Sequence, residues 1–249
     1  MRLARLTLAV AVAAACGLCV SADSVFAATT ARGHLCAPGS VRWLERWDVA
    51  YAGRVMRPVT VHRRPGGTAF MSLGTNDRYG FWTVVPIVAE RLDRACKPTW
   101  FRVRVTHYPN GTLGWIRAGT VATSRIRRRI VIDVSRRRLF LYQRGKLILS
   151  TPAAVGKAST PTPLGRFYIT QRFIVTARNS PFGTRALGIS AFSNVLRSWV
   201  DGGPVGIHGT NEPFSIGKGV SHGCVRLPEQ TMRRLFGLVP LATPVIVRG

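Results

Sequence analysis

Between Val41 and Val121 the chain alternates hydrophobic and polar positions in short runs broken by Gly, Pro and Asn, with no long helical periodicity. Pro58 to Arg63 alternates, Pro65-Gly66-Gly67 marks a turn, and Phe81 to Val85 is continuous enough for a buried strand. Trp100 to Val105 alternates apolar and basic residues, Asn110-Gly111 is a hairpin signal, and Gly114-Trp115-Ile116 opens a further strand. These elements predict a small β-barrel, with residues 88–98 as an inserted loop. Trp43, Trp47, Tyr79 and Trp82 either pack in its core or form a saccharide or peptide surface.

From Ala122 to Arg129 the chain turns polar and basic, which places a domain boundary near Arg125. Ile130 to Val134 starts a new strand. Leu139 to Tyr142 and Leu147 to Leu149 flank Arg144-Gly145-Lys146 as a hairpin, and the clusters 127–129 and 136–138 are expected to lie solvated at strand ends and turns. A turn-dense loop, 155–166, leads into a strand at Phe167. Pro228 introduces a short helix, Thr231 to Leu238, and Val245 to Val247 supplies a last strand. The predicted fold class is mainly β, with short helices in the second half.

Composition then sets the compartment. Arg2 and Arg5 precede an apolar stretch from Leu6 to Val20, and Val25-Phe26-Ala27 fits a cleavage box, so residues 1–28 read as a secretory signal peptide. Its apolar run of about 15 residues is shorter than the roughly 20 that span a bilayer, so the mature chain is expected to carry no transmembrane segment. Cys16 as a lipidated residue is the weaker alternative, because Ala13 stands where such boxes prefer a larger aliphatic side chain. The remaining chain divides into 29–124 and 125–249.

A formal net charge of +26 points to polyanionic partners. For a secreted chain these are wall carboxylates, anionic cell-wall polymers and lipid before nucleic acid. Cleavage leaves three cysteines, Cys36, Cys96 and Cys224. Pairing Cys36 with Cys96 leaves Cys224 as a free thiol; the pairings that use Cys224 instead would silence it. No cluster has metal spacing, His62 and His107 read as surface residues, and no cofactor motif is visible.

Candidate chemistry concentrates in the run from Gly206 to Leu227, GIHGTNEPFSIGKGVSHGCVRL. His208 ends a strand-like approach and Cys224 follows sixteen positions later, so a returning loop can bring thiol and imidazole together. A thiol of ordinary pKa is mostly protonated at neutral pH and needs a base beside it to act as a nucleophile. His208 is the candidate base, and the amides of Gly223 and Cys224 are the candidate oxyanion donors.

The string His208-Gly209-Thr210, then Ser221-His222-Gly223-Cys224-Val225-Arg226-Leu227, resembles the signature of the YkuD-type L,D-transpeptidases of peptidoglycan. The resemblance extends over Arg129 to Arg248. Residues 55–121 are similar to bacterial SH3-like domains. The family resemblance implies a secreted, wall-associated or periplasmic cysteine acyltransferase without a cofactor, its donor and acceptor both peptidoglycan stem peptides. By the same resemblance Cys224 is the nucleophile and His208 the base; no motif locates the group that orients the base, and a backbone carbonyl near Gly209 is the expectation. Ser221 lines the site by hydrogen bonding, His222 supports the loop, and Arg226 either binds a substrate carboxylate or makes a structural ion pair. An L,D-carboxypeptidase using the same site, and a non-catalytic wall-binding protein, are the alternatives.

Overall fold

A computed structural model of the protein describes residues 36–249. The signal-peptide expectation for residues 1–28, Cys16 included, lies outside the described residues. The described chain is mainly β: an antiparallel amino-terminal sheet and a curled mixed sheet in the carboxyl-terminal half, with one α-helix, Glu229–Leu238.

The first sheet runs, edge to edge, Ala69–Leu73, Val59–His62, Leu113–Arg117, Pro98–Arg104, Val84–Leu92, Ala50–Val55, Val121–Ile126, and Val41–Trp43 adds to Val84–Leu92 off this path. Alternation explains the inward face: Val59, Val61, Phe101, Val103 and Ile116 are buried in one cluster. Two parts of this sheet depart from the sequence reading. Residues 88–92 are strand, not inserted loop, and Val88 and Ala89 are buried. Glu90 interrupted the apolar run, but it is satisfied across the ladder, where Arg42 Nε donates to its carboxylate at 2.7 Å. The polar stretch after Ala122 is also strand, because Val121–Ile126 pairs with Ala50–Val55 and needs only one buried face residue at its end, Ile126.

The second sheet begins two residues later. Its order is Lys146–Pro152, Arg138–Gln143, Arg128–Asp133, Pro244–Arg248, Gly165–Ile174, Arg185–Phe192, Pro204–His208, Val225–Arg226. Most neighbours are antiparallel, but Pro244–Arg248 runs parallel to Arg128–Asp133, and Val225–Arg226 runs parallel to Pro204–His208. Leu139, Leu141, Ile169, Leu187 and Ile207 fill the core, and the helix closes it with Met232 and Leu235, three positions apart on one face. Arg129 is a third departure: it is buried, and its Nε donates to the Trp47 carbonyl at 3.2 Å. His62 and His107 are half-buried rather than surface residues, and His62 packs edge-on to Trp100 at 5.4 Å. Trp43, Trp47, Tyr79 and Trp82 are all substantially exposed.

Cys36 and Cys96 form a disulfide across 60 positions, tying the start of the described chain to the turn after Val84–Leu92. Closing a loop of that length stabilises a fold by about 4 kcal/mol in the chain-entropy account. The Cys36→Ser, Cys96→Ser double variant is therefore expected to lose about 2–4 kcal/mol of unfolding free energy in denaturant titration, with Cys224 alkylated at an unchanged rate under native conditions.

Candidate active site

Strand Pro204–His208 delivers His208 to the inner end of the second sheet because Val205 and Ile207 bury one face and fix the register. After it the chain leaves through a short 3₁₀ turn, Pro213–Ser215, and returns through Gly219–Ser221, which pairs with Val155–Gly156. Gly223 sits at φ 115°, backbone territory that favours glycine, and it turns the chain into Val225–Arg226. Ile207 then faces Val225 and His208 faces Arg226, so Cys224 lies beside the Gly206 end of the histidine strand. On its other side Arg226 exchanges backbone hydrogen bonds with Ala154, at 2.9 and 3.0 Å.

Cys224 is the free thiol among the described residues. Burial pushes its pKa up from the ordinary value, while a backbone hydrogen bond at Gly206 and the charge of Arg226 pull the other way. His208 is buried, and desolvation lowers its pKa to about 4, with the Arg226 charge acting in the same direction. Both groups are therefore neutral at rest near pH 7.

The imidazole is oriented by its neighbour in sequence. His208 Nδ1 lies 2.6 Å from the Gly209 carbonyl. A carbonyl only accepts, so Nδ1 carries the proton and Nε2 is left with its lone pair, the tautomer a general base needs. Phe182 packs edge-on to the ring at 4.9 Å. A Cβ on Gly209 would stand 2.1 Å from Glu229 Oε2, so a larger residue there would have to displace that carboxylate. That carboxylate, on the first turn of the helix, also receives the Thr184 N–H at 3.2 Å and Arg233 Nε at 3.2 Å. Glu229 thus fastens the helix start against the backbone that holds the imidazole. Sequence reading missed it, although an acidic residue right after Pro228 is a common helix-start signal.

The remaining motif residues divide between the loop and the site. Ser221 is buried; its hydroxyl donates to the Cys224 carbonyl at 2.5 Å and accepts the Gly223 N–H at 3.1 Å. The Gly223 amide is thus engaged inside the loop. His222 packs against Trp199 with ring centroids 5.5 Å apart. Arg226 is ion-paired, its Nη1 2.5 Å from Glu212 Oε2, yet it still lines the site.

Cys224 and His208 stand together where two cavities meet. One, about 560 Å³, is mainly apolar and runs from Cys224 past Val205, Leu187 and Phe173 to Tyr79 of the first sheet's connecting segment. The other, about 170 Å³, is bounded by Trp199, His222, Ser221 and Arg226. Among the described residues no group of three or more His, Cys, Asp or Glu is disposed to hold a metal ion. No helix among them is long and apolar enough to cross a membrane.

The carboxyl-terminal half is similar to known proteins. A family model described as YkuD, the L,D-transpeptidase catalytic domain, matches residues 127–247. The YkuD protein of Bacillus licheniformis is 39% identical over 119 residues, covering 48% of this chain and 64% of the relative. That of Bacillus subtilis is 37% identical over 120 residues, 47% of this chain and 64% of the relative. A crystal structure of an Enterococcus faecium L,D-transpeptidase mutant is 28% identical, covers 49% of each chain and superposes with a TM-score of 0.38. The chain thus spans less than two thirds of the length of the two Bacillus relatives. Its carboxyl-terminal half, residues 127–247, which contains both His208 and Cys224, belongs to the YkuD family of L,D-transpeptidase catalytic domains.

Proposed function

We propose that the protein is an extracytoplasmic L,D-transpeptidase that joins two peptidoglycan stem peptides through a thioester on Cys224. The observation that carries the reading is a half-buried thiol and an imidazole whose Nδ1 is held by a carbonyl, together where two cavities meet; in this account each cavity takes one peptide. The disulfide supports an oxidising compartment. The chain's positive charge suits an anionic wall.

In the first half-reaction the Cys224 sulfur attacks the carbonyl of diaminopimelate that precedes the terminal D-Ala of a stem tetrapeptide. His208 Nε2 takes the thiol proton as the S–C bond forms, so the thiol need not ionise beforehand. The carbonyl π electrons move onto oxygen, and the Cys224 N–H is the oxyanion donor in this account, with the Gly223 N–H joining it if Ser221 releases it. Collapse of the intermediate breaks the C–N bond, Nε2 returns its proton to the leaving amine, and D-Ala departs. In the second half-reaction the amine of an acceptor stem peptide attacks the thioester and loses its proton to Nε2. The thiolate leaves, recovers that proton, and a new amide links two diaminopimelate residues. Arg226, one nitrogen committed to Glu212, offers the rest of its guanidinium to a substrate carboxylate in the smaller cavity. The amino-terminal sheet is an SH3-like module in this reading.

Intact-mass analysis after exposure to a carbapenem is expected to add one drug mass to the native protein and none to Cys224→Ala. A native protein that stays unmodified while Cys224 remains reduced and free would reject the nucleophile. Incubation with stem tetrapeptide should yield cross-linked dimer when an acceptor is present. Tripeptide alone, with no dimer, would favour the carboxypeptidase alternative.

The lowered pKa of His208 fixes the pH dependence. The base must be neutral, so acylation should stay level from pH 7 through 5 and decline only near pH 4, as the imidazolium forms. A decline centred near the ordinary histidine value of 6.5 would contradict the buried neutral base. Stability shifts in the same direction: a depressed folded pKa stabilises above the unfolded value of 6.5, and that contribution is lost as pH falls through about 4.

A further inference from the structure

The segment 193–203 joins strand Arg185–Phe192 to strand Pro204–His208 and carries one wall of the smaller cavity: Ser193, Leu196, Trp199 and Gly203 line it beside Cys224. Its own packing does little to hold it, since Asn194, Val195 and residues 197–200 are exposed. Besides its own turns and the Trp199–His222 contact, it is held by side chains from the loops of the first sheet. At its start, the Asn110 side chain donates to the Phe192 carbonyl at 2.7 Å and accepts the Phe192 N–H at 2.9 Å, the two bonds a backbone ladder would otherwise make. Midway, the Arg197 guanidinium donates to the Tyr108 hydroxyl and lies 4.4 Å over its ring. Near its end, Asp201 receives Arg78 Nη1 at 2.6 Å and the Tyr79 hydroxyl. Asp201 is in the left-handed region at φ 63°, a conformation a non-glycine residue keeps when its surroundings hold it there. The Tyr79 ring, edge-on to Phe173 at 5.9 Å, then closes the far end of the larger cavity.

We infer that the amino-terminal sheet is a working part of the active site: Asn110, Tyr108 and the Arg78–Tyr79 pair clamp the loop 193–203 in the position that shapes the smaller cavity, and Tyr79 is a specificity-determining wall of the larger one. Asn110 acts as a positioning residue, since it reaches the site only through Phe192 and Asn194. The part of the inference that concerns substrate rests on the transpeptidase reading; the clamp itself does not.

The test uses the full chain with Asn110→Ala and Tyr79→Ala, singly and together, and Tyr79→Phe as the conservative control. In hydrogen exchange the double variant should open residues 194–202 about tenfold faster, while the amides of strands Arg128–Asp133 and Pro244–Arg248 keep their protection. With a stem tetrapeptide as donor, Tyr79→Ala should raise KM about tenfold and change kcat by less than about twofold, and Tyr79→Phe, which keeps the ring, should restore KM to within about twofold of the native protein. Unchanged exchange in 194–202 would overturn the clamp, and so would a uniform rise across both sheets, which would mean general destabilisation. Unchanged donor KM in Tyr79→Ala would overturn the wall. Faster exchange confined to the loop, in a protein whose Cys224 never takes up a carbapenem, would uphold the clamp while the transpeptidase reading fell.

Discussion

The parallel pairing of Pro204–His208 with Val225–Arg226 is the constraint on which the site depends. Parallel neighbours require a crossover connection, so the chain must leave the sheet after His208 and come back in the same direction. Here the connection is a glycine-rich loop rather than a helix, and its return leg carries the thiol. The register His208 opposite Arg226 then fixes the imidazole against the segment that bears sulfur, with Ile207 and Val225 buried beneath as the apolar anchor. A slip of one residue would turn the sulfur to the opposite face.

Desolvation sets the chemistry that this geometry permits. The same burial raises the pKa of the thiol and lowers that of the imidazole, so the ground state is a neutral pair rather than a thiolate and an imidazolium. Arg226 works with burial on His208 and against it on Cys224, and Glu212 tempers that charge. In the proposed reaction a neutral pair postpones charge separation to the attack itself, where proton transfer and bond formation occur together. A neutral thiol is also the form least prone to oxidation.

Much of this was legible in the residues. Alternation located Val59–His62, Pro98–Arg104 and the hairpin after Leu139, because each has one buried face and a Gly or Asn turn beside it. His208 and Cys224 stood out because their spacing and glycine context are unusual. Less visible was any strand whose polar residues are satisfied by a distant partner: Glu90 depends on Arg42, and Arg129 on the carbonyls of Arg46 and Trp47. Such pairings depend on tertiary contacts that no local pattern contains. The same holds for Asn110, which signalled a hairpin turn in the sequence and in the fold also grips Phe192, 82 positions away. Glu229 drew no attention in the sequence, and its approach to Gly209 comes only with the fold.

The account turns on one protonation state, that of the His208 ring. Nitrogen-15 NMR of the imidazole, followed from pH 8 to pH 4, reads it directly. The account predicts Nδ1 protonated and Nε2 bare throughout, with the second proton arriving only near pH 4. An imidazolium already present at pH 7, or a neutral ring carrying its proton on Nε2, would contradict it.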